Sequence, residues 1–438
     1  MKNHYFNKSL FILIATIFQI TFLSGNIFGQ TLESKDNYFF SKTLDIEANS
    51  HYARIKVRLM LASKHIMAPK IIDILQKYML ISGVFNTQEE PDGNVDLVLS
   101  IGDSSFFGLS ANFSSAHSGE TLYEGFIKLS TQWLVIENNI IDFIEQAILA
   151  IDGESSLFGS AILYSQKSDN KRYSSIVLTD FLGKRRYRLI DDNRINIMPS
   201  WSNDGSKFLY TSISNRGTKV HIFDFKTLEI STIKSIFEGT LTGGFFTSDD
   251  KNIILTQSIN GRPAIYLYDM ERGRWKRLVT SLYIATNGSL HGNKLLFTSN
   301  RSQGVQVFLK NNYLVGDRQV RMTFFGGNNS EPQWSNRGNI FLYTSFYDDH
   351  FQIFLMNEDA TGIKQLTKDS YNAEQGVWSA DDRQVLYTFF GRGKSRLKFI
   401  TLDGKFQREL TEGHDMPAES DPSWSKNFDW SLLTRIAD

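Results

Sequence analysis

No cysteine occurs in the 438 residues, which excludes a disulfide framework and a lipoprotein attachment cysteine. Net charge is also missing: 47 basic residues stand against 47 acidic ones, so nothing draws the chain as a whole to nucleic acid or to an anionic membrane. The eight histidines include no His-Glu-x-x-His, and Gly-x-Ser-x-Gly does not occur. Gly102-Asp-Ser104 resembles a nucleophile turn but has no suitably placed Asp and His after it. Gly391-Arg-Gly-Lys-Ser395 resembles the end of a phosphate loop, yet the earlier glycine would have to stand at Thr388 and the segment reads as a hairpin. These absences argue against an enzyme and against any cofactor.

Proline is scarce and aromatic residues are abundant, led by 34 Phe and 17 Tyr, the composition of many short strands joined by turns. The length exceeds what one core holds, so two domains are expected. Lys2, His4 and Lys8 precede an apolar run from Leu10 to Leu23, which is short for a membrane span but suits a signal segment. Small residues at Ser24, Gly25 and Gly29 place cleavage near Gly29, with the mature chain starting at Gln30 and no membrane span remaining. Export without cysteine fits the periplasm.

An internal repeat dominates the rest. Pro199-Ser-Trp-Ser-Asn-Asp-Gly-Ser-Lys-Phe-Leu-Tyr-Thr-Ser212 recurs as Pro332-Gln-Trp-Ser-Asn-Arg-Gly-Asn-Ile-Phe-Leu-Tyr-Thr-Ser345, with weaker copies around Phe246, Gly288, Trp378 and Trp424. Aligning Trp201, Phe246, Gly288, Trp334, Trp378 and Trp424 gives spacings of 42 to 46 residues, the period of four-stranded propeller blades. Six three-strand sets begin near Ala161, Phe208, Ile253, Leu295, Phe341 and Val385, and the first lacks an inner strand before it. Pro422 to Ser425 should supply that strand and close the ring without open edges. The repeated Trp is read as packing between sheets, with Ser-Asn-Asp-Gly as the turn that follows.

Residues 54 to 154 read differently. Arg54 to Leu61 alternates as a strand, Pro69 opens a helix ending near Gly83, and strands follow at Val95–Ile101, Phe106–Phe113 and Thr121–Ser130. Asn138 is read as the cap of a second helix that stops at Gly153. The expected fold is mainly β: a signal peptide at 1–29, a mature segment at 30–53, a mixed-sheet two-helix α/β domain at 54–154, and a six-bladed β-propeller at 155–430.

The signal segment, the β-α-β-β-β-α order, Gln132-Trp133 before the last helix and the six Trp-Ser-x-Asp-Gly-like repeats together resemble the TolB family. The proline common after Trp-Ser in that family is replaced here by Asn203, Ser248, Asn336, Ala380 and Lys426. The resemblance implies a non-enzymatic monomer of the Tol-Pal envelope system. It implies that the propeller binds a Pal-like peptidoglycan-associated lipoprotein and that the mature N-terminal region contacts a TolA-like inner-membrane protein. Loops leading into the inner strands carry Asn196, Met198, Thr240, Asn329, Glu331, Asn372, Glu374, Glu419 and Asp421, read as a polar, acidic rim that meets the partner. On that reading, replacing Glu331 and Glu374 by Lys weakens binding and leaves stability nearly unchanged. His414, Asp415, Glu419 and Asp421 share one connection but lack metal-ligand spacing, so no metal is expected. The alternative is an exported propeller adaptor outside Tol-Pal.

Overall fold

A computed structural model describes residues 53–435 except 88–92, 106, 155–156, 169–171, 236, 280–281, 303, 317, 392, 412, 414–415 and 426–427. The signal segment, the mature segment up to residue 52, His414 and Asp415 therefore lie outside the described residues.

The N-terminal unit comprises β1 (Ile55–Leu61), α1 (Ala68–Ser82), β2 (Phe85–Asn86), β3 (Leu97–Ser105), β4 (Gly108–Ser115), β5 (Thr121–Lys128) and α2 (Trp133–Asp152). Its sheet order is β2-β1-β3-β4-β5, parallel across the first three strands and antiparallel beyond. Alternation in β3 sends Leu97, Leu99 and Ile101 to one face, where they meet Ile71, Leu75, Ile140 and Ile144 of the helices. Both helices end on glycine in the left-handed region, Gly83 at φ 76° and Gly153 at φ 76°. Two details differ from the sequence reading. The two-residue β2 is too short to show a period, and α2 begins at Trp133 rather than after Asn138. Trp133-Leu-Val-Ile looks like a strand, but Ile136 is wholly buried and continues the helical stripe of Ile140, Ile144 and Ile148.

The propeller follows, its first three strands being β6 (Ala161–Lys167), β7 (Ser174–Asp180) and β8 (Arg186–Ile190). Blade 2 contains β9 to β12 (Ile195–Trp201, Lys207–Ser214, Gly217–Asp224, Glu229–Thr232), and blade 3 contains β13 to β16 (Thr240–Phe246, Asn252–Ile259, Arg262–Asp269, Arg274–Arg277). Blade 4 holds β17 to β20 (Ala285–His291, Lys294–Ser299, Gln306–Lys310, Gln319–Arg321). Blade 5 holds β21 to β24 (Asn329–Trp334, Ile340–Tyr347, His350–Asn357, Lys364–Gln365), and blade 6 holds β25 to β28 (Asn372–Trp378, Gln384–Gly391, Lys394–Thr401, Gln407–Glu409). The last strand, β29 (Glu419–Trp424), pairs antiparallel with β6 and becomes the innermost strand of blade 1, as the strand count requires.

Strand pairing corrects one alignment. Trp201 lies opposite Phe208, Trp334 opposite Phe341 and Trp378 opposite Val385, whereas in blade 4 it is Leu290 that lies opposite Leu295. Leu290, not Gly288, is the equivalent residue. The turn there is the short His291–Lys294 hairpin, two residues tighter than the Trp-Ser-x-Asp-Gly turn, so counting back from β18 overshoots. Gly288 instead faces Ile254, Ile265 and Leu295, where a Cβ would come within 3.2 to 3.3 Å of their side chains.

The repeat tryptophans pack as expected, and two of the four also bridge blades. Trp201 Nε1 donates to the Ser423 carbonyl at 3.2 Å and Trp378 Nε1 to the Gln333 carbonyl at 3.1 Å, each on the neighbouring blade, while Trp424 Nε1 donates to Ser160 Oγ at 2.8 Å. Trp334 Nε1, beside the blade that lacks a Trp, is buried without a partner. Asn203 and Asn336 stand where the family commonly has proline, and they form clamps between blades. Asn203 donates its backbone N–H and Nδ2 to Asp250 at 2.8 and 2.9 Å, and Asn336 does the same to Asp382 at 2.8 and 2.7 Å. Asp250 and Asp382 adopt φ of 54° and 59° in their turns, the work that Gly205 and Gly338 do in blades 2 and 5.

Candidate functional site: the channel and the open end of the propeller

Every innermost strand runs from one end of the ring, where blades are connected, to the other, where the Trp and its turn lie. That second end is covered by the N-terminal unit. Arg54 pairs with Asp403 at 2.6 Å, Arg383 with Asp152 at 2.7 Å and Arg337 with Glu154 at 2.7 Å, while Gln384 donates to the Ile81 carbonyl at 3.2 Å. Lys184 lies 2.9 Å from both Tyr78 Oη and Glu137. Aromatic contacts run across the junction from Tyr78 to Phe158 to Phe181, which stacks on Trp424 at 5.5 Å. One apolar core thus spans the N-terminal unit and blades 1 and 6.

The opposite end is open, and the channel leads into it. Residues from all six inner strands line it, among them Met198, Gly243, Asn287, Glu331, Gln375 and Asp421. Each inner strand carries a bulge at this level, where its pairing register shifts. In five strands the bulge residue is forced to positive φ: Met198 at 53°, Asn287 at 50°, Glu331 at 53°, Gln375 at 57° and Asp421 at 53°. Side chains this bulky adopt such a φ only when the surroundings over-determine it. Here a relay does so. Glu331 Oε2 accepts from the Gln375 N–H at 3.0 Å and from Thr344 Oγ1 at 2.9 Å. Gln375 Oε1 accepts from the Asp421 N–H at 3.0 Å, and its Nε2 donates to Asp421 Oδ1 at 2.7 Å. Asp421 faces the Met198 N–H, and in the next step Thr211 Oγ1 accepts from the Gly243 N–H at 2.7 Å. From blade 5 round to blade 3, in four successive steps, a side chain of one blade so satisfies the bulge of the next.

Burial raises the carboxyls of Glu331 and Asp421 above their ordinary range, and Glu374 is pushed up to about 8 by burial and by the nearby Glu331 charge. The exposed acidic rim expected from the sequence therefore needs correcting. Asn196, Asn329, Glu374, Glu419 and Asp421 are buried, with Asn196, Asn329 and Glu419 fully so. Asn329 Nδ2 donates to Gln306 Oε1 at 2.9 Å, and Thr411 Oγ1 donates to Glu419 at 2.8 Å. Asn196 Nδ2 donates to Asp192 at 2.8 Å. These side chains tie loop to strand and are not presented to a partner. Asn372, partly exposed, accepts from the Phe351 N–H at 3.0 Å. Met198, Thr240 and Glu331 are partly exposed along the channel wall. Replacing Glu374 by Lys would bury an ammonium group, and replacing Glu331 would remove the acceptor of the Gln375 N–H and of Thr344, so stability would fall. Among the described residues no group of three or more His, Cys, Asp or Glu is placed to hold a metal ion.

The open end presents another set that sequence reasoning passed over. Tyr173, Leu282, Tyr283, Phe324, Tyr347 and Tyr371 are all exposed on the connections and hairpins of that end, Leu282 at 82%. Arg321 lies over Phe324 with its guanidinium carbon 4.7 Å from the ring centroid. Exposed aromatics above a channel, on loops held by a rigid ring, are the residue types that anchor protein interfaces. Their signal in the sequence is an aromatic or leucine in the connection before an inner strand, as at Tyr283, Phe324 and Tyr371.

The family model described as the TolB beta propeller domain matches residues 149–428. The chain belongs to the TolB β-propeller family. Tol-Pal system protein TolB of Desulfotalea psychrophila is 29% identical over 127 residues, 29% of this chain and 28% of that protein. The Helicobacter pylori protein of the same name is 26% identical over 140 residues, 31% of this chain and 33% of its own length. The alignments thus span a third or less of these relatives. Crystalline TolB from Acinetobacter baumannii superposes with a TM-score of 0.66 at 17% identity, covering 85% of this chain and 96% of that one. Hydrazine synthase of Kuenenia stuttgartiensis shares the fold over 62% of this chain and 47% of its own, with a TM-score of 0.51 at 13% identity. The TolB match extends through both domains, and no helix among the described residues is long and apolar enough to cross a membrane.

Proposed function

We propose that this protein is the TolB component of a Tol-Pal envelope system: a periplasmic, non-enzymatic interaction protein that supports outer-membrane integrity and constriction at division. The open end of its propeller binds a Pal-like lipoprotein, and the mature segment 30–53 contacts a TolA-like inner-membrane protein. The observation that carries the reading is the TolB propeller match, combined with a ring that is closed by the N-terminal unit at one end and ringed by exposed aromatics at the other. Propeller neighbours that are enzymes share only the fold, and fold does not transfer chemistry.

The test is a titration of the mature chain with the periplasmic domain of a Pal-like lipoprotein from the same genome. The double variant Tyr283→Ala and Phe324→Ala is expected to lose about tenfold or more in affinity at unchanged Tm. No binding by the unaltered chain, with a different envelope protein recovered instead, would favour an adaptor outside Tol-Pal.

A further inference from the structure

We propose that the end of the N-terminal unit formed by the β1–α1, β3–β4 and β5–α2 connections is a docking surface for an anionic lipid bilayer. Topology brings these three connections together. β1 and β3 finish there, side by side, with Leu61 opposite Ile101, and both helices begin there. The Leu129 N–H donates to the Phe107 carbonyl at 2.8 Å, joining the second connection to the third. Lys70 of α1 lies 3.5 Å from the centroid of the Trp133 ring, joining the first to the third.

The surface so assembled is apolar at its points. Ile66 is 91% exposed, Phe107 70% and Leu134 64%, with Leu61 and Trp133 beside them. These side chains stand on separate connections and on the first turn of α2. They present projections rather than a groove, the shape that enters a headgroup layer. Trp133 supplies the amphipathic ring favoured at that depth.

Charge selects the partner. Lys64, Lys70 and Lys128 are exposed around the points, and none of them is ion-paired to another of the described residues. Of the acids nearby, Asp103 accepts from Ser63 and from the Lys64 N–H at 3.1 Å and keeps its charge, Asp73 lies a turn further along α1, and Glu137 is held by Lys184, so three lysines face two acids without an ion-pair partner among the described residues. The local balance is positive although the whole chain is neutral, and lysines beside apolar points complement anionic headgroups. The propeller reaches α2 at Glu137, which meets Lys184 one turn after Trp133, yet Trp133 and Leu134 themselves stay 40% and 64% exposed.

The experiment is co-sedimentation of the mature chain from Gln30 with vesicles of phosphatidylglycerol and phosphatidylethanolamine, and separately with phosphatidylcholine vesicles. The expected result is binding to the first and not to the second, weakened by salt. The triple variant Ile66→Ser, Phe107→Ser and Leu134→Ser should lose about tenfold or more in vesicle partition. Lys64→Gln, Lys70→Gln and Lys128→Gln together should remove the preference for phosphatidylglycerol. Because all six side chains are exposed, both variants should keep the parent Tm. Equal binding by the serine variant would overturn the proposal. So would an unaltered chain that ignores vesicles but forms a dimer the serine variant dissociates, which would assign the surface to a second copy.

Discussion

The two ends of the propeller are built from the same repeat yet are put to opposite uses. At the covered end the turns after Trp378 and Trp334 reach the N-terminal unit through Arg383, Gln384 and Arg337, and an apolar core runs across the junction. At the open end the connections keep large aromatic side chains in solvent, while the carboxylates beneath them are buried and hydrogen-bonded. Polar residues there are structural and apolar residues are available, the reverse of the usual expectation for a surface. The covered end should therefore be costly to alter and the open end cheap.

The largest effect is expected from Arg383→Ala, which strips the partner from Asp152 in a pair whose side chains are 2% and 15% exposed. Unfolding in denaturant should show a loss of about 3–5 kcal/mol, because one charge remains enclosed and unpaired. Next comes Asp382→Ala, which removes the acceptor shared by the Asn336 and Arg337 backbone N–H groups and by Asn336 Nδ2. A cost of roughly 1–3 kcal/mol follows from leaving those part-buried donors without their acceptor.

Glu374 makes the open end sensitive to pH rather than to truncation. Its folded value, about 8, lies above the ordinary glutamate value, so the folded state holds a proton that the unfolded state has released across the interval between them. Stability from this group is complete at acid pH and is lost as pH rises toward 8. Glu374→Gln should abolish that slope, so the variant gains Tm relative to the parent at pH 8 and not at pH 5. A parallel shift at both values would show that Glu374 does not titrate in this range. A smaller effect compares two tryptophans: Trp378→Phe should cost about 1 kcal/mol more than Trp334→Phe, since only the former loses a hydrogen bond. The smallest is Tyr283→Ala with Phe324→Ala, within about 0.5 kcal/mol of the parent because both are exposed.

The architecture was legible because the Trp-Ser turn and the strand after it recur at nearly constant spacing, and because β29 was the inner strand left over for blade 1. Blade 4 misled where its turn is shorter: a period reveals that a repeat exists but not where two residues are missing, and only the pairing of Leu290 with Leu295 shows it. The site was less legible. Asn196, Asn329 and Glu419 begin strands after polar connections, which reads as exposed loop, yet the chain turns them inward onto Asp192, Gln306 and Thr411. Asp192 and Thr411 lie only four and eight residues away, but nothing in a polar connection announces that it folds back on its own strand, and Gln306 stands 23 residues from Asn329. Leu282, Tyr283 and Phe324 were passed over for the complementary reason, since large apolar side chains are usually buried and a search for polar rim residues does not select them. Asn203 and Asn336 were visible as departures from proline, but their function depends on Asp250 and Asp382 one blade away.

The most direct test of the central claim is amide hydrogen exchange on the mature chain, alone and saturated with its envelope partner. Protection confined to 282–284, 322–328 and 366–371, with no change at 379–383 and 402–406, is the expected result. Protection at the second pair of segments, with none at the first three, would place the partner at the covered end and contradict the division of labour drawn here.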